Sequence, residues 1–329
     1  MRLIPGMGSA LSLLLVAGGI AVLGFGADVL VRGAVTIARI VRVSPAVIGL
    51  TIVSMGTSLP ELTVSIAAAL RGSADLGMGN VVGSNIFNIG AVLGLTAIVR
   101  AVSVHSSAIR LEWPFMLVAS FQLLLLARDG ALDRLEGAFF VIGLVLFTLY
   151  VVRLGRTEVG VVEAEGLAAN VERHQSPAGS RAGAAALLVV AGVALLVLGG
   201  ELLVSGAVQL ARAAGMTERI IGLTIVAAGT GTPEVATSLM AARRGESAIA
   251  LGNVIGSNIF NILGILGITA LVRPLTVSSA MVSNDMVWML GFAALLLPMM
   301  RSGGSVSRGE GAVLVLAYGT YVTLLVLGG

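Results

Sequence analysis

The sequence has no cysteine and no lysine, and it is poor in charge and in aromatic rings, at 11% and 4% of 329 residues. Soluble domains hold about 25% charged and about 45–50% apolar residues, whereas this chain is 57% apolar. A soluble enzyme is excluded, and an integral membrane protein is what remains. Without cysteine there are no disulfides, no thiolate metal sites and no thiol catalysis. The two histidines, His105 and His174, fall in polar stretches, so soft-metal chemistry is not expected and no cofactor is implied. All 20 basic residues are arginine, and they stand mostly singly between apolar runs. That pattern reads as topology determinants and not as a nucleic-acid patch. The first apolar stretch has no small-residue cleavage site and is expected to stay as span one.

Apolar runs long enough for a bilayer predict ten helices. They lie at about 10–31, 44–70, 76–99, 112–127, 136–153, 184–211, 218–242, 248–272, 285–300 and 310–327. The long polar segment from Arg153 to Arg181 divides them five and five. The expected organisation is therefore a first repeat at 1–153, a linker at 154–182 and a second repeat at 183–329. The halves are copies: residues 48–100 align without a gap to 221–273, 173 positions on, with 31 of 53 identical. So strong an internal repeat, with an odd number of spans per half, predicts an all-α polytopic protein of two inverted five-helix repeats. This is a plan of secondary transporters. If loops alternate sides, seven arginines fall on the side of the amino terminus and 13 on the other. The positive-inside rule then places both termini outside the cell membrane and the linker in the cytoplasm.

Two segments bear chemistry. Span two reads Gly56-Thr57-Ser58-Leu59-Pro60-Glu61 and span seven Gly229-Thr230-Gly231-Thr232-Pro233-Glu234. A proline inside a helix has no N–H for the carbonyl four residues earlier, which frees the carbonyls of Gly56 and Gly229 at membrane depth. Glu61 and Glu234 are costly in hydrocarbon, by about 2.5–3.5 kcal/mol at a helix centre. A cation would satisfy both kinds of oxygen. The plainer possibility is a capping box formed by Ser58 and Glu61 with Pro60 in the first turn. Gly231 breaks that box in the second half while Glu234 remains, which favours a cation site.

Spans three and eight carry Gly-Ser-Asn-Ile-Phe-Asn at 83–88 and 256–261. Ser84 with Asn88, and Ser257 with Asn261, are four apart and share a helical face. Asn80, Asn85, Asn253 and Asn258 serve equally well as bonds between helices. Asp28, four residues before Arg32, suits an intrahelical pair; its counterpart Glu201 has Ser205 at that place. Glu112, Asp285, Trp113 and Trp288 read as interfacial. The candidate ligands are thus Glu61, Glu234, Asn88, Asn261, the hydroxyls of Thr57, Ser84, Thr230 and Ser257, and the carbonyls of Gly56 and Gly229. All are oxygens, which suits Ca²⁺ better than Mg²⁺. One Ca²⁺, two Na⁺ or two protons neutralise two carboxylates equally, which is a physical basis for exchange.

In these motifs the chain resembles the prokaryotic sodium/calcium exchangers of the cation/calcium antiporter superfamily. The likeness implies ten helices and a central site with Glu61 and Glu234 as principal Ca²⁺ ligands. It also implies flanking Na⁺ positions using Thr57, Ser58, Ser84, Thr230 and Ser257, and a gate formed by sliding of spans one and six. A single chain in the lipid bilayer suffices for such transport. Three departures stand out: Gly231 in place of a serine removes one hydroxyl, Asn261 in place of an acid argues against potassium co-transport, and the linker is too short for calcium-sensing domains. The rival expectations are a proton/calcium antiporter on the same scaffold and, from another class, a cation channel. An intramembrane protease is excluded, because no span holds a nucleophile with a base or an aspartate pair.

Overall fold

The computed structural model describes residues 5–166, 178–216 and 227–328. Twelve helices, some of them halves of one span, make up almost all of it: α1 Pro5–Val41, α2 Pro45–Thr57, α3 Leu59–Leu70, α4 Asp75–Val99, α5 Ala108–Asp129, α6 Arg134–Gly166, α7 Ala178–Ala213, α8 Ala227–Thr230, α9 Thr232–Arg243, α10 Ser247–Val272, α11 Met281–Arg301 and α12 Arg308–Gly328. Seven of them are long and apolar enough to cross a membrane by themselves, and the bent pair α2 and α3 makes a further span. The first part of the expected span at 218–242, and the linker residues His174 and Ser176, lie outside the described residues.

Spans one and five run on past their expected ends. α1 continues through Arg32 and Arg39 to Val41, because no proline or helix-ending glycine intervenes before Arg42, which turns the chain at φ 55. Its 37 residues span about 55 Å, well beyond the bilayer's apolar core of about 30 Å. α6 likewise extends beyond Arg153 to Gly166.

α1 and α7 pack antiparallel along a glycine seam. Gly19, Gly26 and Gly33, seven apart on α1, face α7 backbone at Leu203, Leu196 and Val189; Gly192, Gly199 and Gly206 face α1 at Leu30, Leu23 and Ser12. A Cβ at any of the six would stand within about 3 Å of the partner backbone. Lipid tails offer helices no hydrophobic drive to associate, so such close backbone contact is a main source of adhesion. The other corner of the molecule is built on α10, which is buried along almost its whole length.

The loops add two small antiparallel pairings to the all-helical expectation. β1 Val102–Ser103 pairs with β4 Ser305–Val306, and β2 Ala131–Leu132 pairs with β3 Leu275–Thr276. β3 lies 173 residues after β1 and β4 lies 174 after β2, so each pairing is the repeat of the other. They satisfy backbone groups where chains leave the helices, and they tie the halves together.

Candidate functional site

Each half breaks a helix at the same place. α3 begins at Leu59, and Pro60 occupies its first turn, where a missing N–H costs nothing; Pro233 does the same in α9. The residue at each break, Ser58 at φ −85, ψ 11 and Gly231 at φ −84, ψ 4, leaves helical geometry, and α2 meets α3 at 45°. Glu61 and Glu234 fall in the first turns of the new helices, both 1% exposed.

Ser58 does not cap its helix. Its hydroxyl lies 3.0 Å from Glu234 Oε1 and 3.2 Å from Ser257 Oγ, across to the other half. The capping-box alternative therefore fails on geometry. Thr57 donates to Asn253 Oδ1 at 3.3 Å with its hydroxyl beside Glu234, while Thr230 bonds Glu61. The two glutamates are close enough for their charges to act on each other. Six of the expected ligands, Glu61, Glu234, Thr57, Ser58, Thr230 and Ser257, are thus joined in one buried cluster drawn from both repeats.

Glu61 Oε2 and Glu234 Oε2 of this cluster accept nothing, and on α10 neither do Asn258 Oδ1 and Asn261 Oδ1. Buried acceptors without donors are costly, and the two orphan carboxylate oxygens of the cluster suit a cation. Asn261 Nδ2 donates to Asn85 Oδ1 at 3.0 Å, which fixes its orphan oxygen on the opposite side of the amide. Asn88 is buried and opens a π-type turn over Asn88–Leu93; Phe260–Leu266 makes the same turn around Asn261. Such turns disturb backbone pairing beside functional groups.

Among the described residues no hydrogen bond ties Ser84, Asn88 or the Gly56 carbonyl to the carboxylates. The Gly229 carbonyl is partly used, accepting Thr232 Oγ1 at 2.7 Å. Gly56 has Leu59 where Gly229 has Thr232, so the two freed carbonyls are not equivalent.

Asn80 and Asn253 bond helix to helix. Asn80 Nδ2 donates to Ser65 Oγ at 3.0 Å and to the Glu61 carbonyl at 3.2 Å; Asn253 Nδ2 donates to Ser238 Oγ at 3.0 Å. Ser65 and Ser238 escaped the sequence reading. Their signal was present: each lies four residues after a glutamate, on its face, and they are 173 apart. Asp28 pairs with Arg32 at 2.8 Å as expected, but it also meets Arg244 of the other half, 2.6 Å from its Nε. Glu112 is 2% exposed and held by His105 at 3.3 Å and Ser107 at 3.2 Å, more buried than an interfacial residue. Asp285 accepts the Tyr321 hydroxyl at 3.0 Å.

The profile of the sodium/calcium exchanger proteins matches residues 11–153 and 184–327. A candidate antiporter of Alkalimonas amylolytica is 40% identical, over 93% of this chain and 96% of its own. The inner membrane protein YrbG of Escherichia coli is 36% identical over 94% of each chain. A sodium/calcium exchanger of Methanosarcina acetivorans is 31% identical, over 91% of this chain and 94% of its own. The fold is similar to that of the sodium-calcium exchanger NCX_Mj soaked with 2.5 mM Na⁺ and 0.1 mM Ca²⁺. That match has a TM-score of 0.80 and 29% identity, covering 96% of this chain and 98% of that one.

Proposed function

The chain belongs to the sodium/calcium exchanger family, and on that premise we propose that it exchanges Ca²⁺ for Na⁺ across the cell membrane at the site built on Glu61 and Glu234. The observation that carries this is the pair of buried carboxylates, each with one oxygen unpartnered, on helices broken at matching positions. One Ca²⁺ or two Na⁺ cancels their charge. The empty, doubly charged site is too costly to pass the midplane, so the loaded forms move and the ions exchange. Ten spans in two inverted repeats supply the two mirror-related arrangements that alternating access needs. The bent α2 and α3, the repetition of the loop pairing in the second half and the antiparallel α1 and α7 support that plan.

Na⁺ coupling is favoured over proton coupling by the hydroxyl cluster of Thr57, Ser58 and Ser257 around Glu234, because a proton has no use for a multi-oxygen shell. The deciding measurement is Ca²⁺ uptake into sealed vesicles driven by an outward Na⁺ gradient, against uptake driven by an outward proton gradient. Uptake driven only by protons would assign the chain to the proton/calcium rival. Acid should inhibit Na⁺-driven uptake, because protons compete for the carboxylate oxygens that bind cations. A flat pH profile would place the binding oxygens elsewhere.

For orientation, the arginine asymmetry favours a cytoplasmic linker and external termini. In this cysteine-free chain, a single Ser176→Cys should be shielded from an impermeant thiol reagent in right-side-out vesicles. Labelling there would reverse the topology.

A further inference from the structure

The two halves of the site are not equivalent, and a phenylalanine marks the difference. A Cβ on Gly231 would lie 2.4 Å from Phe87 Cε1 and 2.7 Å from its Cδ1. The Phe87 ring therefore occupies the place of a side chain at 231. Its counterpart Phe260 turns the other way, onto Gly264 one turn along its own helix, where a Cβ would meet the ring at 2.7 Å. The residue matching Gly264 is Ala91. Its methyl takes the space that Phe260 uses, and Phe87 is turned towards Gly231 and packs edge-on to Tyr318 at 5.6 Å. Ser58 keeps its hydroxyl among Glu234 and Ser257, whereas the mirror position has lost the hydroxyl and gained a hydrocarbon ring.

We propose that Phe87 and Gly231 eliminate one of two symmetric monovalent-cation positions, leaving the other beside Ser58 and the central carboxylate position that Ca²⁺ or one Na⁺ fills, so that the exchanger moves two Na⁺ per Ca²⁺ without net charge. This rests on the Na⁺/Ca²⁺ reading above. A cation beside Gly231 would lack one oxygen ligand and meet a ring unable to replace it. Among the described residues no three acidic or histidine side chains are grouped so as to hold a metal ion, so a third monovalent ion would bring a positive charge with no third carboxylate to balance it.

The test uses the purified full chain. Na⁺ displacement of radioactive Ca²⁺ should follow a slope of about two, the number of site charges to be matched. Na⁺-driven uptake into proteoliposomes should be indifferent to a potassium diffusion potential. Gly231→Ser combined with Phe87→Ala restores a hydroxyl and the room for it; its slope should rise and its uptake become potential-dependent. A parental slope of about three, or parental uptake that responds to potential, overturns the proposal whether or not the double variant folds. If Na⁺ fails to displace bound Ca²⁺, the Na⁺ reading itself falls, and the proposal with it.

A second asymmetry lies at the rim. Asp28 of α1 bonds Arg244, at the end of α9, and α1 lies along α9. The offset carries this pair onto Glu201 and Arg71. Those two are exposed and, among the described residues, make no ion pair, and α7 has no comparable packing on α3. Other rim contacts obey the symmetry: Arg100 donates to the Arg243 carbonyl at 3.0 Å, and Arg273 to the Leu70 carbonyl at 3.3 Å. A contact formed in one half only, amid contacts formed in both, marks what differs between two states.

The geometry points to two alternating latches, Asp28 with Arg244 and Glu201 with Arg71, each closed in one access state. This rests on alternating access, but not on which ions move. In the cysteine-free chain, Asp28→Cys with Arg244→Cys should cross-link readily and block flux until reduced. Glu201→Cys with Arg71→Cys should cross-link slowly, and faster when Arg244→Gln opens the other latch. If the second pair never cross-links even then, or a four-cysteine chain closes both links in one molecule, the latches do not alternate. Ca²⁺ flux in the parent, measured alongside, reports separately on transport.

Discussion

Glu61→Gln and Glu234→Gln should each reduce Ca²⁺ transport to less than about a tenth of the parental rate while leaving the protein folded. Glutamine preserves the shape of the side chain and its place in the first turn of α3 or α9. It halves the charge that balances a divalent ion, and it puts an N–H₂ donor where the structure has an orphan acceptor. A cation facing a donor is repelled, so the loss should appear in binding as well as in flux. Neither side chain contributes packing that glutamine lacks, and both are already buried at 1% exposure, so thermal stability without ions should hold or rise as a buried charge is removed. Parental flux in either variant, with the protein shown to be folded, would remove the two-carboxylate site. The double variant should bind no Ca²⁺ at all, and equal loss in single and double variants would show that the two acids act as one unit.

The broken helices were legible in the sequence because proline and glycine punctuate locally, and because the copy 173 residues on confirmed each signal. Glu61, Glu234 and their hydroxyl partners could be named for that reason. The partnership between Ser58 and Glu234 was not legible: the two are 176 apart, and the local pattern offered Ser58 only a cap as a partner. Helix ends failed where nothing local stops a helix, as between Arg32 and Val41. Phe87 was invisible for a subtler reason. Its orientation depends on whether alanine or glycine stands four residues on, and Phe87 and Phe260 are identical in the motif itself. Asp28 showed its intrahelical partner Arg32, since spacing of four is a sequence property, but not Arg244, which only the packing of α1 on α9 supplies.

Gly256→Val should abolish transport and lower thermal stability, whereas Gly309→Ala, at a position with nothing within 4 Å of an added Cβ, should leave both unchanged. A Cβ at 256 would lie 2.4 Å from the Leu50 carbonyl oxygen, 2.7 Å from the Leu50 Cα and 2.7 Å from Ser54 Oγ. Two of these are backbone atoms of α2 and cannot rotate away. Gly252, one turn earlier, is equally tight, with the Ala46 carbonyl 2.7 Å from its would-be Cβ. The glycine pair thus lets α10 seat its backbone directly on α2, and Ser257 reaches Ser58 only because of that seating. Valine must push the helices apart, at a cost of about 1–3 kcal/mol for overpacking alone. Any outward shift of α2 also separates Ser58 and Thr57 from Glu234, so flux should fall further than stability does. Gly256→Ala should fall between the two, its smaller side chain forcing a smaller displacement. A Gly256→Val protein that transports at the parental rate would mean that α2 and α10 separate freely, and the hydroxyl cluster around Glu234 would then lose its role in holding the cation.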